Sequence, residues 1–140
     1  VQAGSVCERT VGLVDTYATL RGLLGVALPE PEAAAQDSVS FLPLLAKPDA
    51  SQPRDSIILH NARGVFAVRQ GPWKYIEGKP HGKVRPAELK HNPEFRPQLY
   101  HLGNDPAEAD NLIAKRPEVV ERLGALLNQH RQAGFSRSAP

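Results

Sequence analysis

The sequence predicts an α+β fold: a small antiparallel β-sheet packed against a C-terminal amphipathic helix, preceded by a helical arm. Three observations carry this expectation. Short apolar alternations at 56–60, 64–69, 73–76 and 98–102 are separated by turn-forming residues. Val119, Val120, Leu123, Leu126 and Leu127 recur at helical spacing late in the chain. Leu13, Val14, Tyr17, Leu20 and Leu24 do the same near its start.

Taken in order, the first helix spans Thr10 to Leu24. Thr10 is a candidate N-cap, and Gly25 stands where a glycine in the left-handed region ends a helix. Asp15 stands on this helix with no partner evident from sequence. A loop with Pro29 and Pro31 follows. Ser40 to Leu45 reads as a short helix, with Ser40 as cap and Pro43 in the first turn, where its missing N–H does no harm. Composition changes at Asp55. Ser56 to His60 is β-branched and short, so it reads as a strand. Gly64 to Arg69 and Trp73 to Ile76 form a hairpin around Gln70-Gly71-Pro72, with Trp73 and Tyr75 on one face and Lys74 and Ile76 on the other. Glu77 to Pro97 is a long polar excursion. Gln98 to Leu102 reads as a fourth strand. Pro117 opens the last helix, Glu118 favours its dipole, and Gly134 ends it. The tail from Phe135 is expected to fray. The short connections between strands favour antiparallel pairing, with the last helix covering one face. Two regions result: 1–54, a helical arm with connecting loops, and 55–140, a sheet-plus-helix subdomain.

Composition narrows the function. Thirteen Pro and 11 Gly among 140 residues stay below the low-complexity range of roughly 25–30%. A chain of this length buries roughly two-thirds of its unfolded surface, enough for one modest core. Lys and Arg number 17 against 15 Asp and Glu, a formal net charge of +2. That balance does not call for nucleic acid as a partner. No apolar run is long enough to span a membrane. Cys7 is the sole cysteine, which excludes an internal disulfide and a zinc cage of cysteines. The chain has no Met, and it is expected to be a piece of a longer polypeptide.

Few residues advertise chemistry. His60 ends the first strand, beside the polar Asn61-Ala62-Arg63-Gly64 turn. A surface role is the ordinary one for such a histidine, and a functional role is the alternative. His101 lies within a strand and reads as packed, and His130 reads as structural on the last helix. Lys79, His81, Lys83, Arg85, Lys90, His91 and Arg96 make the long excursion basic. It is either a solvated loop or an anion-binding edge, since Arg and Lys pair with sulfate or phosphate oxygens. No His-x-x-x-His, Cys-x-x-Cys or EF-hand spacing occurs, and no nucleophile elbow, phosphate loop or dinucleotide fingerprint. On their own, the residues specify a small module without a complete active site.

Four stretches together resemble a known family. Val11-Gly-Leu-Val-Asp-Thr-Tyr-Ala-Thr-Leu-Arg-Gly-Leu-Leu-Gly25 is similar to the type I sulfatase segment V-x-L-V-D-x-x-P-T-L-x-x-L-x-G, and Ser40-Phe-Leu-Pro-Leu-Leu45 to the S-L-x-P-L-L that follows it. Gly64-Val-Phe-Ala-Val-Arg-Gln-Gly-Pro-Trp-Lys74 resembles the G-x-x-A-I-R-x-G-x-W-K hairpin. Gln98-Leu-Tyr-His-Leu-Gly-Asn-Asp-Pro-Ala-Glu-Ala-Asp-Asn-Leu112 resembles E-L-Y-D-L-x-x-D-P-x-E-x-x-N-L. Order and spacing make the match specific, and it runs from Val11 to Ala133. Ala18, Gln98 and His101 depart from the usual Pro, acidic residue and Asp.

The resemblance is to the C-terminal subdomain of type I sulfatases, in the alkaline-phosphatase superfamily. It implies a fragment of a sulfuric ester hydrolase that completes the fold and lines the substrate cleft, with 1–54 as the end of the catalytic-domain region. It implies a partner, the N-terminal catalytic domain, and a sulfate-ester substrate. It also implies a calcium ion and a formylglycine, both held in that missing domain. Cys7 is followed by Glu8-Arg9-Thr10 and not by the x-Pro-x-Arg of the formylglycine motif, so no catalytic residue and no metal ligand carries over, and the isolated chain is expected to be inactive. Family members are commonly exported, which implies a periplasmic or extracellular parent. In several relatives a His at the place of His60 lies at the cleft rim, so His60, Asn61 and Arg63 are expected to contact the non-sulfate part of the substrate. Two alternatives remain at this point: the same role in a phosphonate or phosphate ester hydrolase, and a free-standing module binding sulfated polysaccharide through the basic excursion.

Overall fold

The computed structural model describes residues 3–51 and 53–137. The chain forms two compact units, one running through Ile57 and resuming at Ala133, the other spanning Ile58–Gln132.

In the first unit a 3₁₀ turn, Leu13–Asp15, leads into α1, Thr16–Leu23. The regular helix starts later than the apolar spacing suggests, because the Asp15 carboxylate turns back to accept from Gly12 N at 2.8 Å and closes the turn locally. Gly25 ends the segment at φ 67°, as expected of a C′ glycine. The side chains that α1 buries are not its apolar stripe. Asp15, Ala18 and Thr19 are buried, whereas Leu13 (92% exposed), Leu24 (77%), Leu20, Leu23, Val14 and Tyr17 face outward. α2, Leu42–Ala46, carries Pro43 in its first turn, and Ser40 Oγ accepts from Leu42 N at 3.2 Å.

Asp15 is far from isolated. Its carboxylate accepts from Gly12 N, from Val39 N at 2.9 Å and from the Arg54 guanidinium. Arg54 in turn donates to Asp37 O at 2.7 Å and Ser56 O at 3.1 Å. A single buried ion pair thus ties three stretches of chain together, 12–15, 37–39 and 54–56, and the hydrogen bonds satisfy most of both charged groups. Ala18 N donates to Ser38 Oγ at 2.9 Å. The Pro of the family pattern has no N–H to give, so this departure carries its own hydrogen bond.

Of the tail expected to fray, residues 138–140 lie outside the described residues, whereas Ser136 and Arg137 are held by hydrogen bonds. Ser136 N donates to Asp37 Oδ1 at 2.8 Å, and the buried Arg137 donates from Nη2 to Pro29 O at 2.6 Å. These bonds give the segment after Gly134 partners that its sequence, a polar stretch without periodicity, does not announce.

The second unit holds the sheet and the long helix. The strands β1 (Ser56–His60), β2 (Val65–Gln70), β3 (Trp73–Pro80) and β4 (Gln98–His101) lie in the order β1-β2-β3-β4. β2 pairs antiparallel with β3, Gln70 opposite Trp73 across Gly71-Pro72, and β3 with β4, Trp73 opposite His101. α4, Pro117–Ala133, covers one face. Val119, Leu123 and Leu127 from α4 meet Val68 and Leu99 from the sheet, with Ile58, Phe66, Trp73 and Tyr75 packed around them. The alternation of β3 is the expected one, since Trp73 and Tyr75 join this core. Burial of these side chains from water is the main stabilising term.

The polar excursion is more ordered than its composition suggests. β3 continues to Pro80 through a bulge, because Gly78 adopts φ 66°. α3 (Pro86–His91) and a 3₁₀ turn (Pro93–Phe95) follow. Phe95 is buried and anchors this stretch, one aromatic ring in an otherwise polar run.

Candidate functional site

The turn after β1 is built by Asn61. Its Oδ1 accepts from Arg63 N at 2.9 Å and Val65 N at 3.0 Å, and Gly64 supplies φ 72°. Its Nδ2 donates to Glu94. Arg63 Nη1 donates to the other Glu94 oxygen at 2.9 Å, and Asn92 Nδ2 joins at 3.1 Å. The guanidinium also lies 5.7 Å over the Phe95 ring. Glu94 therefore locks the β1–β2 turn to the end of the excursion. Sequence reasoning did not single out Glu94. The only local signal is Asn92-Pro93, a turn start whose Asn92 Oδ1 accepts from Glu94 N at 3.0 Å.

His60 is exposed, immediately before this turn. Its Nδ1–H points at Asn61 O, 3.1 Å away. That contact leaves Nε2 of the neutral ring as an acceptor for a hydroxyl or amide. The ring also sits 5.6 Å from Phe66. Phe66 has two further neighbours, His81 edge-on at 5.5 Å and Arg131 at 5.4 Å. Beneath them the Glu77 carboxylate accepts from Phe66 N at 3.3 Å, from His81 Nε2 at 3.0 Å and from Arg131 Nη2 at 2.9 Å. Burial raises the pKa of the neighbouring Tyr75 hydroxyl. Glu77 adds to that rise and Arg131 opposes it.

A groove of about 400 Å³ opens beside His60. His60, Asn61 and Glu94 form its polar edge, Leu59 and Ile76 line it with apolar surface, and Lys74 completes it. Lys74 Nζ is held by both Glu108 oxygens at 2.7 and 2.9 Å, so its charge is largely neutralised. The groove is thus an apolar surface edged with amide, imidazole and carboxylate groups. It suits an uncharged polar ring better than an isolated anion. His60 and Asn61 share it. Arg63 does not line it, and shapes it through Glu94. In the basic excursion, His81 is committed to Glu77, and Arg85 lies 3.5 Å from Glu88.

Among the described residues, no three His, Cys, Asp or Glu side chains converge as a cation site. Cys7 lies on the surface, its thiol donating to Pro48 O at 3.4 Å. No helix of the described residues is long and apolar enough to cross a membrane.

This arrangement, an antiparallel four-stranded sheet under one helix, occurs in known proteins. No family model matches the chain. An N-acetylgalactosamine-6-O-sulfatase of Bacteroides thetaiotaomicron is 36% identical over 115 residues, covering 81% of this chain and 22% of that protein. Arylsulfatase A of Bos taurus is 33% identical over 131 residues, covering 84% of this chain and 25% of that protein. A solved structure described under the metabolism of multiple glycosaminoglycans by Bacteroides thetaiotaomicron superposes with a TM-score of 0.64 at 35% identity, covering 84% of this chain and 24% of that one. Sequence and fold together define the class: a sulfatase-type α+β segment. The chain matches the C-terminal subdomain of that family, and it spans about a quarter of the length of the sulfatases it matches.

Proposed function

We propose that this chain is the C-terminal part of a sulfuric ester hydrolase, in which it completes the fold and lines the substrate cleft. The observation that carries the reading is the 36% identity to an N-acetylgalactosamine-6-O-sulfatase over 115 residues. The sulfatase names of the matched relatives favour sulfate over phosphate or phosphonate esters.

In this reading, 1–54 is the end of the catalytic-domain region and 55–140 is the subdomain. The calcium ion and the formylglycine belong to the catalytic domain. Neither fits the described residues, because Cys7 lacks the x-Pro-x-Arg that must follow it and no carboxylate cluster converges among the described residues. The partner is the catalytic domain itself. The outward-facing Leu13, Leu20, Leu23 and Leu24 support this, since a contiguous apolar face on a helix marks a buried contact in the assembled protein.

His60 and Asn61 contact the non-sulfate part of the substrate from the groove, and Arg63 reaches it from the adjoining turn. The acceptor Nε2 of His60 receives a substrate hydroxyl or amide proton. The bond is uniform between ground and transition states, because it lies away from the breaking S–O bond. The test is steady-state kinetics of the full-length parent enzyme on a sulfated N-acetylgalactosamine substrate. His60→Ala should raise KM about tenfold and leave kcat within about twofold. Unchanged KM would remove His60 from the site. Absence of sulfate release by the unmodified parent would overturn the sulfatase reading itself.

A further inference from the structure

A second cavity, of about 560 Å³, is lined by Trp73, His101, Asn104, Leu112, Lys115 and Arg116. It shares no lining residue with the groove beside His60. Trp73 begins β3 at its hairpin end, whereas His60 lies at the end of the sheet where Asn61 N donates to Val65 O.

Three features make it a binding site of definite chemistry. The first is a pair of aromatic rings. Trp73 and His101 are cross-strand partners with ring centroids 4.7 Å apart, edge to face at 86°. With Leu112 they offer an apolar wall. The second is a buried His101 Nδ1 with no hydrogen-bond partner among the described residues. The sulfatase pattern has Asp at this position, so the chain exchanges a carboxylate for an imidazole ring. The third is the cation pair. Arg116 has no carboxylate partner among the described residues, and Lys115 is held 3.0 Å from Asp110 in an ion pair whose side chains are 62% and 61% exposed. A pair so exposed is screened and easily exchanged.

We propose that this cavity binds one anionic sugar unit. The apolar face of the sugar ring lies on Trp73 and Leu112. Its sulfate or carboxylate is bound by Arg116, with Lys115 recruited away from Asp110. Asn104 bonds a ring hydroxyl or acetamido group. A bare anion leaves the apolar wall without a role, and a neutral sugar leaves Arg116 without one. The volume suits one or two sugar rings. Such a site holds a charged chain on the enzyme surface apart from the His60 groove. It involves no turnover, so it stands or falls independently of the sulfatase reading.

Trp73 is the sole tryptophan of the chain, so its fluorescence reports on the cavity directly. The 140-residue chain is titrated with a 6-sulfated N-acetylgalactosamine-containing disaccharide, with the same disaccharide desulfated, and with sodium sulfate. A saturable change in emission is expected with the sulfated disaccharide, at least tenfold weaker with the desulfated one and absent with sulfate alone. Arg116→Ala should weaken binding about tenfold, the loss expected for one charge-assisted bond. Asp110→Asn, which frees Lys115, should tighten it. Circular dichroism checks that each variant is folded. No saturable change with the folded chain overturns the proposal, as does an unaltered response in Arg116→Ala. Equal binding of inorganic sulfate overturns the sugar and leaves a plain anion site.

Discussion

The carboxylate of Asp15 and the guanidinium of Arg54 form an ion pair whose side chains are 2% and 3% exposed. Each charge has lost its water and depends on the other. Removing one partner strands the other, which costs more than the pair itself contributes.

Arg54→Ala should therefore destabilise the chain by about 3–5 kcal/mol. The double variant Asp15→Asn/Arg54→Met should lose clearly less than the two single variants summed, because no charge is then left buried. Urea denaturation of the four proteins measures this. A loss below about 1 kcal/mol for Arg54→Ala would place the pair among ordinary surface contacts.

Gly78 and Gly71 both adopt positive φ, at 66° and 56°, yet they differ in surroundings. A Cβ on Gly78 would lie 2.2 Å from the Arg96 carbonyl carbon and 2.5 Å from Pro97 N, whereas nothing lies within 4 Å of one on Gly71. Gly71→Ala should cost only the backbone penalty, about 1–2 kcal/mol. Gly78→Ala adds a backbone clash and should cost about 4 kcal/mol or more. Thermal melts of both variants decide it, and equal melting temperatures would contradict the close approach.

Asp105 accepts from Asp110 N at 2.9 Å and from Ala109 N at 3.1 Å, and these bonds, Asp110 first, hold its pKa below the ordinary 3.8. The folded pKa is depressed, so the unfolded chain binds the proton more readily. The stability this group provides is present above pH 3.8 and is lost as pH falls through the folded value. Asp105→Asn should lower stability at neutral pH and flatten the profile below about pH 4, so that the variant and the unmodified chain converge in acid. Denaturation midpoints between pH 7 and 2.5 test it. A variant with the same acid slope as the unmodified chain would assign the slope elsewhere.

The legible elements were those with a period. β1 falls at Ser56–His60, as its alternation predicts, and α4 runs from Pro117 to Ala133, as its stripe and the flanking Pro and Gly predict. α1 was legible as a helix, but its apolar face was read with no knowledge of what it would meet, and it is the small and polar face that is buried. Arg54, Phe95 and Arg137 were not legible. Each lies in an aperiodic stretch, and its partners are distant in sequence: Asp15 is 39 residues from Arg54, and Pro29 is 108 from Arg137. The placement of His60 and Asn61, at the end of a strand and in the turn after it, was legible because a short alternation runs into a polar turn. Glu94, which holds that turn, was not, since an acidic residue after Asn-Pro has many ordinary uses.

The anchoring of Arg137 on Pro29 and of Ser136 on Asp37 also imposes an order on biosynthesis. A ribosome adds roughly 5–20 residues per second, so Pro29 waits about 5–20 seconds for a partner 108 residues downstream. The sheet and its helix, contiguous from Ile58 to Gln132, are complete before that partner is made. The unit that starts first is the one that finishes last.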